Sequence, residues 1–201
     1  MRKLTYLLIT FTICLWTLSS FAQTPSYQWV VNGGSIGSST ANKDLYGKNL
    51  FTDANGNTYG LSQFFGWYSK IDTVERNIGF GYDDFCVYSY RCDGTFRWVR
   101  FFGGSQNDYG SGIAVDDAGN VFIAGHLRRS NTYGDAHYGD SIEPANNLYF
   151  KEDFVAKLDS TGHTVWITHP GAPNVGNLPP LLIDHIELNS FGNPQVMYQF
   201  Y

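Results

Sequence analysis

Cysteine is nearly missing from this chain. Of three cysteines, Cys14 lies in the apolar run at the N-terminus, which leaves Cys86 and Cys92 in "DFCVYSYRCDG". Two cysteines exclude the disulfide framework that staples small secreted domains. They are not expected to bridge each other either. In one extended strand six residues span about 20 Å, and a disulfide needs Cα atoms within roughly 7 Å; only a bend at Tyr90 to Asp93 would reverse this. Charge is scarce too: charged residues make up 15% of the chain, with 13 basic and 18 acidic side chains and a net charge of −5. The one basic pair of note is Arg128-Arg129. An acidic chain without basic clusters is a poor binder of anionic membrane surfaces, and nucleic acid is not expected as a partner. Catalytic signatures are also missing. There is no Gly-x-Ser-x-Gly elbow, no His-Glu-x-x-His and no carboxylate pair of the glycosidase kind. "GGSQNDYG" at Gly103 to Gly110 lacks the Gly-Lys-Ser/Thr ending of a phosphate loop.

The single long apolar run is "LTYLLITFTICLWTL", Leu4 to Leu18, preceded by Arg2 and Lys3 and followed by "SSFAQ". It is short for a spanning helix, and Thr5, Thr10, Thr12 and Thr17 dilute it. A basic start, an apolar stretch and a small-residue site describe a secretory signal peptide over residues 1–22, cleaved after Ala22; a retained membrane anchor is the alternative. Cys14, inside the apolar core, does not suit a lipoprotein. The expected mature chain, 23–201, keeps 11 basic against 18 acidic residues, a net charge of −7. The expected location is secreted or on the outer cell surface, with no membrane insertion after cleavage.

What is abundant is glycine, 22 residues, and aromatics, 17% of the chain. With short apolar runs and frequent Asn, Asp and Ser, that composition predicts an all-β protein with many turns. The order is repetitive. Trp29 opens "WVVNGGS", Trp98 opens "WVRFFGGSQND" and Trp166 opens "WITHPGAPN". Between Trp29 and Trp98 stand "DANGNTYGL", "YDDFCVYSY" and "CDGTFRW"; between Trp98 and Trp166 stand "DDAGNVFIAG", "KEDFVAKLD" and "DSTGHTVW". A third cycle begins with "LLIDHIELNSFGNPQVMYQF". The repeats run over about 29–97, 98–165 and, in part, 166–201.

Each repeat reads as four strands, a to d. Strand a is Asn49 to Thr52, Ser111 to Asp116 and Leu182 to Leu188; strand b is Asn57 to Gln63, Asn120 to Leu127 and Pro194 to Phe200. Strand c is Asp84 to Tyr90 and Asp153 to Asp159; strand d is Phe96 to Phe101 and Thr164 to Thr168, with Tyr27 to Val31 an isolated d-type strand. Glycines at Gly56, Gly94, Gly119, Gly162 and Gly192 occupy the tight turns, where positive φ is needed. "NVFIAG" is apolar on both faces, Val121 and Ile123 one way, Phe122 and Ala124 the other, so its strand is sandwiched between sheets. "DFVAKLD" alternates, with Phe154, Ala156 and Leu158 on one face. Four-stranded sheets packed face to face describe the blades of a β-propeller.

"GGSQNDYGSGIAVDDAGNVFIAGHL…EDFVAKLDSTGHTVW" resembles the SBBP repeat, a β-propeller repeat of secreted bacterial proteins. Trp98 to Trp166 fit that pattern closely, Trp29 to Trp98 loosely, and the tail over one hairpin. The resemblance implies a propeller, often seven-bladed, on exported proteins, those of the Bacteroidetes type frequently carrying a C-terminal sorting domain. It implies no defined chemistry and no fixed catalytic residues. A closed propeller needs about four to eight blades, whereas one lone strand, two blades and half a third are readable here. The expected fold is an incomplete propeller of about two and a half four-stranded antiparallel blades, and the chain is expected to be a fragment of a longer protein. Self-association or a non-propeller sandwich are the alternatives.

The densest polar cluster is "HLRRSNTYGDAHYGDSIEP", His126 to Pro144. His126, Asp135, His137, Asp140 and Glu143 are the candidates there for a metal or acid–base site, but the stretch is read as a variable, solvated loop, and no metal, cofactor or catalytic residue is assigned. Asp53, Asn55 and Asn57 of "DANGN" resemble part of a calcium loop but lack its distal Glu. "FFGWY", Phe64 to Tyr68, could stack on sugars or grip a partner; packing between blades is the plainer role. Two functions follow. One is a non-enzymatic exported scaffold for binding or adhesion, its partner a protein or glycan at the cell surface. The other is an exported carbohydrate-active or other enzyme with its site in the propeller loops.

Overall fold

Five tight turns share one construction, and it explains the repeated phrase. The turns are Asp53–Asn57, Arg91–Thr95, Asp116–Asn120, Asp159–His163 and Asn189–Asn193. In each, the first N–H donates to the fifth carbonyl at 2.8–3.0 Å and the glycine N–H donates to the first carbonyl at 2.9 Å. The fourth residue is always glycine, with φ between +75 and +86, a conformation that L side chains avoid. In four turns the first side chain, Asp53, Asp116, Asp159 or Asn189, accepts the third and fifth N–H groups at 2.8–3.0 Å. Asn57 and Asn120 close the clamp by donating to the second carboxylate oxygen at 2.8 Å. "DANGN" and "DDAGN" are thus self-satisfied hairpin turns, and the Asp53 carboxylate that could have served calcium is engaged by its own turn.

The computed structural model describes residues 33–36, 46–65, 68–77, 83–128, 135–143, 151–170 and 182–199. The signal peptide expected over 1–22, the strand expected at Tyr27 to Val31 and Trp29 lie outside them. Among the described residues there are fifteen strands and no helix. They are β1 (Gly33–Ile36), β2 (Tyr46–Thr52), β3 (Thr58–Phe65), β4 (Tyr68–Ile71), β5 (Val74–Asn77), β6 (Asp83–Tyr90), β7 (Phe96–Gly103) and β8 (Tyr109–Val115). There follow β9 (Val121–Arg128), β10 (Ala136–Tyr138), β11 (Ser141–Glu143), β12 (Lys151–Leu158), β13 (Thr164–Thr168), β14 (Leu182–Leu188) and β15 (Pro194–Gln199).

The blades are antiparallel sheets in the expected order. β2-β3-β6-β7 form the first, β8-β9-β12-β13 the second, and β14-β15 the opening hairpin of a third; no sheet closes on itself. The fold is therefore an incomplete β-propeller. Three apolar layers alternate with the sheets. Phe64, Ile71, Cys86, Val99 and Phe101 cover the first face of blade one. Tyr59, Leu61, Phe85, Val87, Trp98 and Phe102 meet Ile113, Val121, Ile123, Phe154, Ala156 and Leu158 between the two blades. Ala114, Phe122, Ala124 and Val155 meet Ile183 and Ile186 beyond blade two. Strand β9 sends Val121 and Ile123 into one layer and Phe122 and Ala124 into the next, as its double apolar pattern requires. On the last hairpin Ile183 and Ile186 are buried, Val196 is half-buried and Met197 is 62% exposed.

Two details depart from the expected pattern. The b–c connections contain strands of their own. β10-β11 extends blade one to six strands by pairing with β7, His137 opposite Gly103 and Tyr138 opposite Phe102. β4-β5 does the same to β1, Gly33 opposite Ile71 and Ile36 opposite Tyr68. Gly33-Gly34 follow Trp29 as Gly103-Gly104 follow Trp98, and each hairpin pairs with the strand that holds the first of these glycines, β1 or β7, so the two hairpins are one device, a clasp, used twice. Both turn on two residues with positive φ at the first, +54 at Asp72 and +70 at Gly139. Asp72→Gly should relieve that conformation and raise stability by about 0.5 kcal/mol in denaturant unfolding.

The second departure concerns the Asp-Phe landmarks, which are not equivalent. Counting back from the c–d turn, Tyr90 pairs with Thr58 and Leu158 with Val121. Asp84-Phe85 then lies one residue further from the turn than Asp153-Phe154. A shift of one residue reverses the face of a strand. Phe85 of blade one and Phe154 of blade two therefore point toward each other and enter the same layer.

Candidate functional site

The cluster from His126 to Glu143 divides into two separate structures. The loop reading is corrected for 135–143, because the β10-β11 hairpin buries Ala136 and Tyr138 completely against β7 and Phe154. Asp135 is exposed at the entrance to the hairpin and His137 is half-buried in β10. Glu143 ends β11 opposite Ala136. Asp140 sits in the turn and reaches across to blade two. Its carboxylate accepts the Thr164 N–H at 2.8 Å and meets His163 Nδ1 at 2.6 Å, while the Thr164 hydroxyl donates to the Tyr138 carbonyl at 2.8 Å. Partial burial raises the Asp140 pKa, but the hydrogen bonds from Thr164 and His163 outweigh it and hold the carboxylate well below its usual range. Asp140 thus ties the clasp to strand d of the second blade.

A stability dependence on pH follows. The folded pKa is depressed, so the contribution is present above the ordinary value of 3.8 and is lost as pH falls toward the lower folded value. Asp140→Ala should cost about 0.5–1 kcal/mol near neutrality, a modest figure because the pair is exposed. The difference from the parent protein should shrink in unfolding curves recorded at progressively more acid pH.

His126 lies elsewhere, on the face of β9 directed at β14-β15. It is buried and directly opposite Asp153 in the ladder, with Nδ1 at 3.0 Å from the carboxylate; Nε2 is buried without a hydrogen-bond partner. Burial and the nearby Asp153 charge raise the pKa of Tyr198, and His169 Nδ1 lies 3.3 Å from the Asp153 carbonyl. The repeat explains the position. His126 stands ten residues after Asp116, as Gln63 stands ten after Asp53. Gln63 donates from its amide to the carbonyl of Asp108 in the loop entering the next blade, and the position matching Asp108 one repeat later falls at Leu181, outside the described residues. Among the described residues no group of three or more His, Cys, Asp or Glu side chains converges on a metal position.

The remaining motifs resolve into structure. In "GGSQND", buried Asp108 accepts the Gly104 N–H and its own N–H donates to Asp83. Phe64 of "FFGWY" is buried, edge-on to Phe101 at 5.9 Å, and Gly66 and Trp67 lie outside the described residues. Cys86 is buried in β6 and Cys92 is exposed in the following turn, with no disulfide between them.

Sequence reading missed a polar lock between the blades. Arg97 donates to the Tyr59 hydroxyl and Ser89 at 2.9 Å and to the Ser160 carbonyl at 2.8 Å; Tyr59 in turn donates to Asp53 at 3.2 Å. The Trp98 indole N–H donates to the same Ser160 carbonyl at 3.1 Å. The signal was present, since Tyr59, Arg97 and Trp98 all sit beside turn motifs, but only the stacking of the blades brings the turn of one repeat onto strand d of the last.

A stack of four-stranded antiparallel sheets joined face to face defines this as a propeller-type repeat protein. Residues 97–126 match the SBBP family, described as a beta-propeller repeat. The matched segment runs from strand d of blade one through strands a and b of blade two, so the match straddles the blade boundary. No curated protein matches the chain.

Proposed function

We propose that this chain is a non-enzymatic β-propeller scaffold, exported to the cell surface or beyond and used for binding or adhesion. The observation that carries the reading is the use of its polar side chains. Asp53 and Asp140, which suggested chemistry, are engaged in holding a turn and the clasp together, and buried Asp108 holds the loop that enters blade two. The N-terminal "MRKLTYLLITFTICLWTLSSFA" supports export. Expression with the N-terminus intact should yield a chain beginning at Gln23 outside the cytoplasm. Recovery of intact Met1 in a membrane fraction, or hydrolytic turnover by the purified chain, would overturn the proposal.

A further inference from the structure

We propose that the first strands of the blades carry a binding site for a neutral saccharide, formed by Lys48, Tyr109, Ser111 and Asp184. The proposal rests on the scaffold reading and names a ligand class for it. Strands β2, β8 and β14 each form an edge of their sheet. β8 touches both β2 and β14, so the three edges converge along one side of the stack.

All three strands are interrupted at the same place. The ladder slips between Gly47 and Asn49, between Gly110 and Gly112, and between Ile183 and His185. The extra residues are Lys48, Ser111 and Asp184, each five positions before the first residue of its turn, Asp53, Asp116 or Asn189. A β-bulge bends a strand and re-aims a side chain, and bulges gather beside binding sites. The turns repeat their residue types from blade to blade; the bulges do not, presenting an amine, a hydroxyl and a carboxylate.

The groups lie near one another. Lys48 Nζ is 3.4 Å from the Gly110 carbonyl and 5.7 Å from the centre of the Tyr109 ring. Asp184 is the bulged residue of β14, which packs against β8; burial of the Lys48 ammonium lowers its pKa, and the Asp184 carboxylate raises it part of the way back. Lys48 and Asp184 are exposed as residues, and Tyr109 and Ser111 are half-buried.

The chemistry selects the ligand. A free anion meets Asp184 and a free cation meets Lys48, so neither is favoured. A neutral polyol satisfies both, donating hydroxyl protons to Asp184 and Ser111 and accepting from Lys48, with the Tyr109 ring offering an apolar face for C–H groups. The open strand edges add backbone donors and acceptors that suit ring hydroxyls.

The purified mature chain should be titrated with maltotetraose, cellotetraose, laminaritetraose and chitotetraose, with acetate and free lysine as charged controls. One of the four should bind with a dissociation constant of about 1 mM or tighter, shifting the backbone NMR signals of Tyr109 to Gly112. Lys48→Met and Asp184→Asn should each weaken binding at least tenfold while leaving the unfolding midpoint in place, and Asp140→Asn should leave binding unchanged. The assignment is overturned if none of the four binds, if binding survives both changes, or if acetate or lysine binds as tightly. New reducing ends in the same samples would instead sink the non-enzymatic reading while leaving the location of the site intact.

Discussion

Trp98→Ala should lower the stability of the folded chain by about 3–5 kcal/mol, and Trp166→Ala by only about 1 kcal/mol. The two tryptophans hold the same place in successive repeats. Trp98 lies 6.3 Å from Tyr59 at an interplanar angle of 56°, and Trp166 lies 6.1 Å from Phe122 at 61°. What differs is the next blade. Over Trp98 the turn Asp159–His163 lays Gly162 so close that a Cβ there would stand 2.7 Å from the indole. That turn also presents the Ser160 carbonyl to the indole N–H. Trp98 is left 5% exposed, whereas Trp166 remains half-buried. Removing Trp98 therefore opens a cavity between two blades, and removing Trp166 trims a partly solvated edge. Equal losses in denaturant-unfolding measurements would show that the turn of blade two does not cover Trp98. Gly162→Ala should reproduce part of the Trp98 loss, since it combines that clash with φ of +86.

Much of the fold was legible in the sequence because its determinants are local. Turn glycines at Gly56, Gly94, Gly119, Gly162 and Gly192 are dictated by backbone conformation within five residues. The double apolar face of "NVFIAG" reports burial on both sides without reference to any partner. β4, β5, β10 and β11 were not legible. They are three or four residues long, too short for a period, and Ala136 and Tyr138 look ordinary until β7 is placed against them. The candidate site fared worse for the same reason. Asp140 finds its partner His163 twenty-three residues away, and His126 finds Asp153 only through pairing of β9 with β12. The bulges at Lys48, Ser111 and Asp184 are invisible in composition, since a bulge is a property of two strands and not of one.

Phe154→Ala should cost about 3–5 kcal/mol, and its effect should depend on Phe85. The sequence places both phenylalanines in the same Asp-Phe landmark. If they were equivalent they would face the same way on successive blades and lie in different layers. Substitutions at the two positions would then be additive to within about 0.3–0.5 kcal/mol. The one-residue offset in strand c turns them face to face instead. Phe154 has its ring centre 6.3 Å from Phe85, 6.0 Å from Phe102 and 5.0 Å from Tyr138, and Phe85 stacks on Phe102 at 5.0 Å. All four are at most 1% exposed, so each ring loses contacts when a neighbour is truncated. Tyr138 comes from the clasp, so this cluster also joins the β10-β11 hairpin to both blades. The double variant Phe85→Ala/Phe154→Ala should therefore lose less than the sum of the two single losses, with a coupling of about 0.5–3 kcal/mol. Strict additivity in a double-mutant cycle measured by chemical denaturation would return the two phenylalanines to separate layers and remove the offset from the description of strand c.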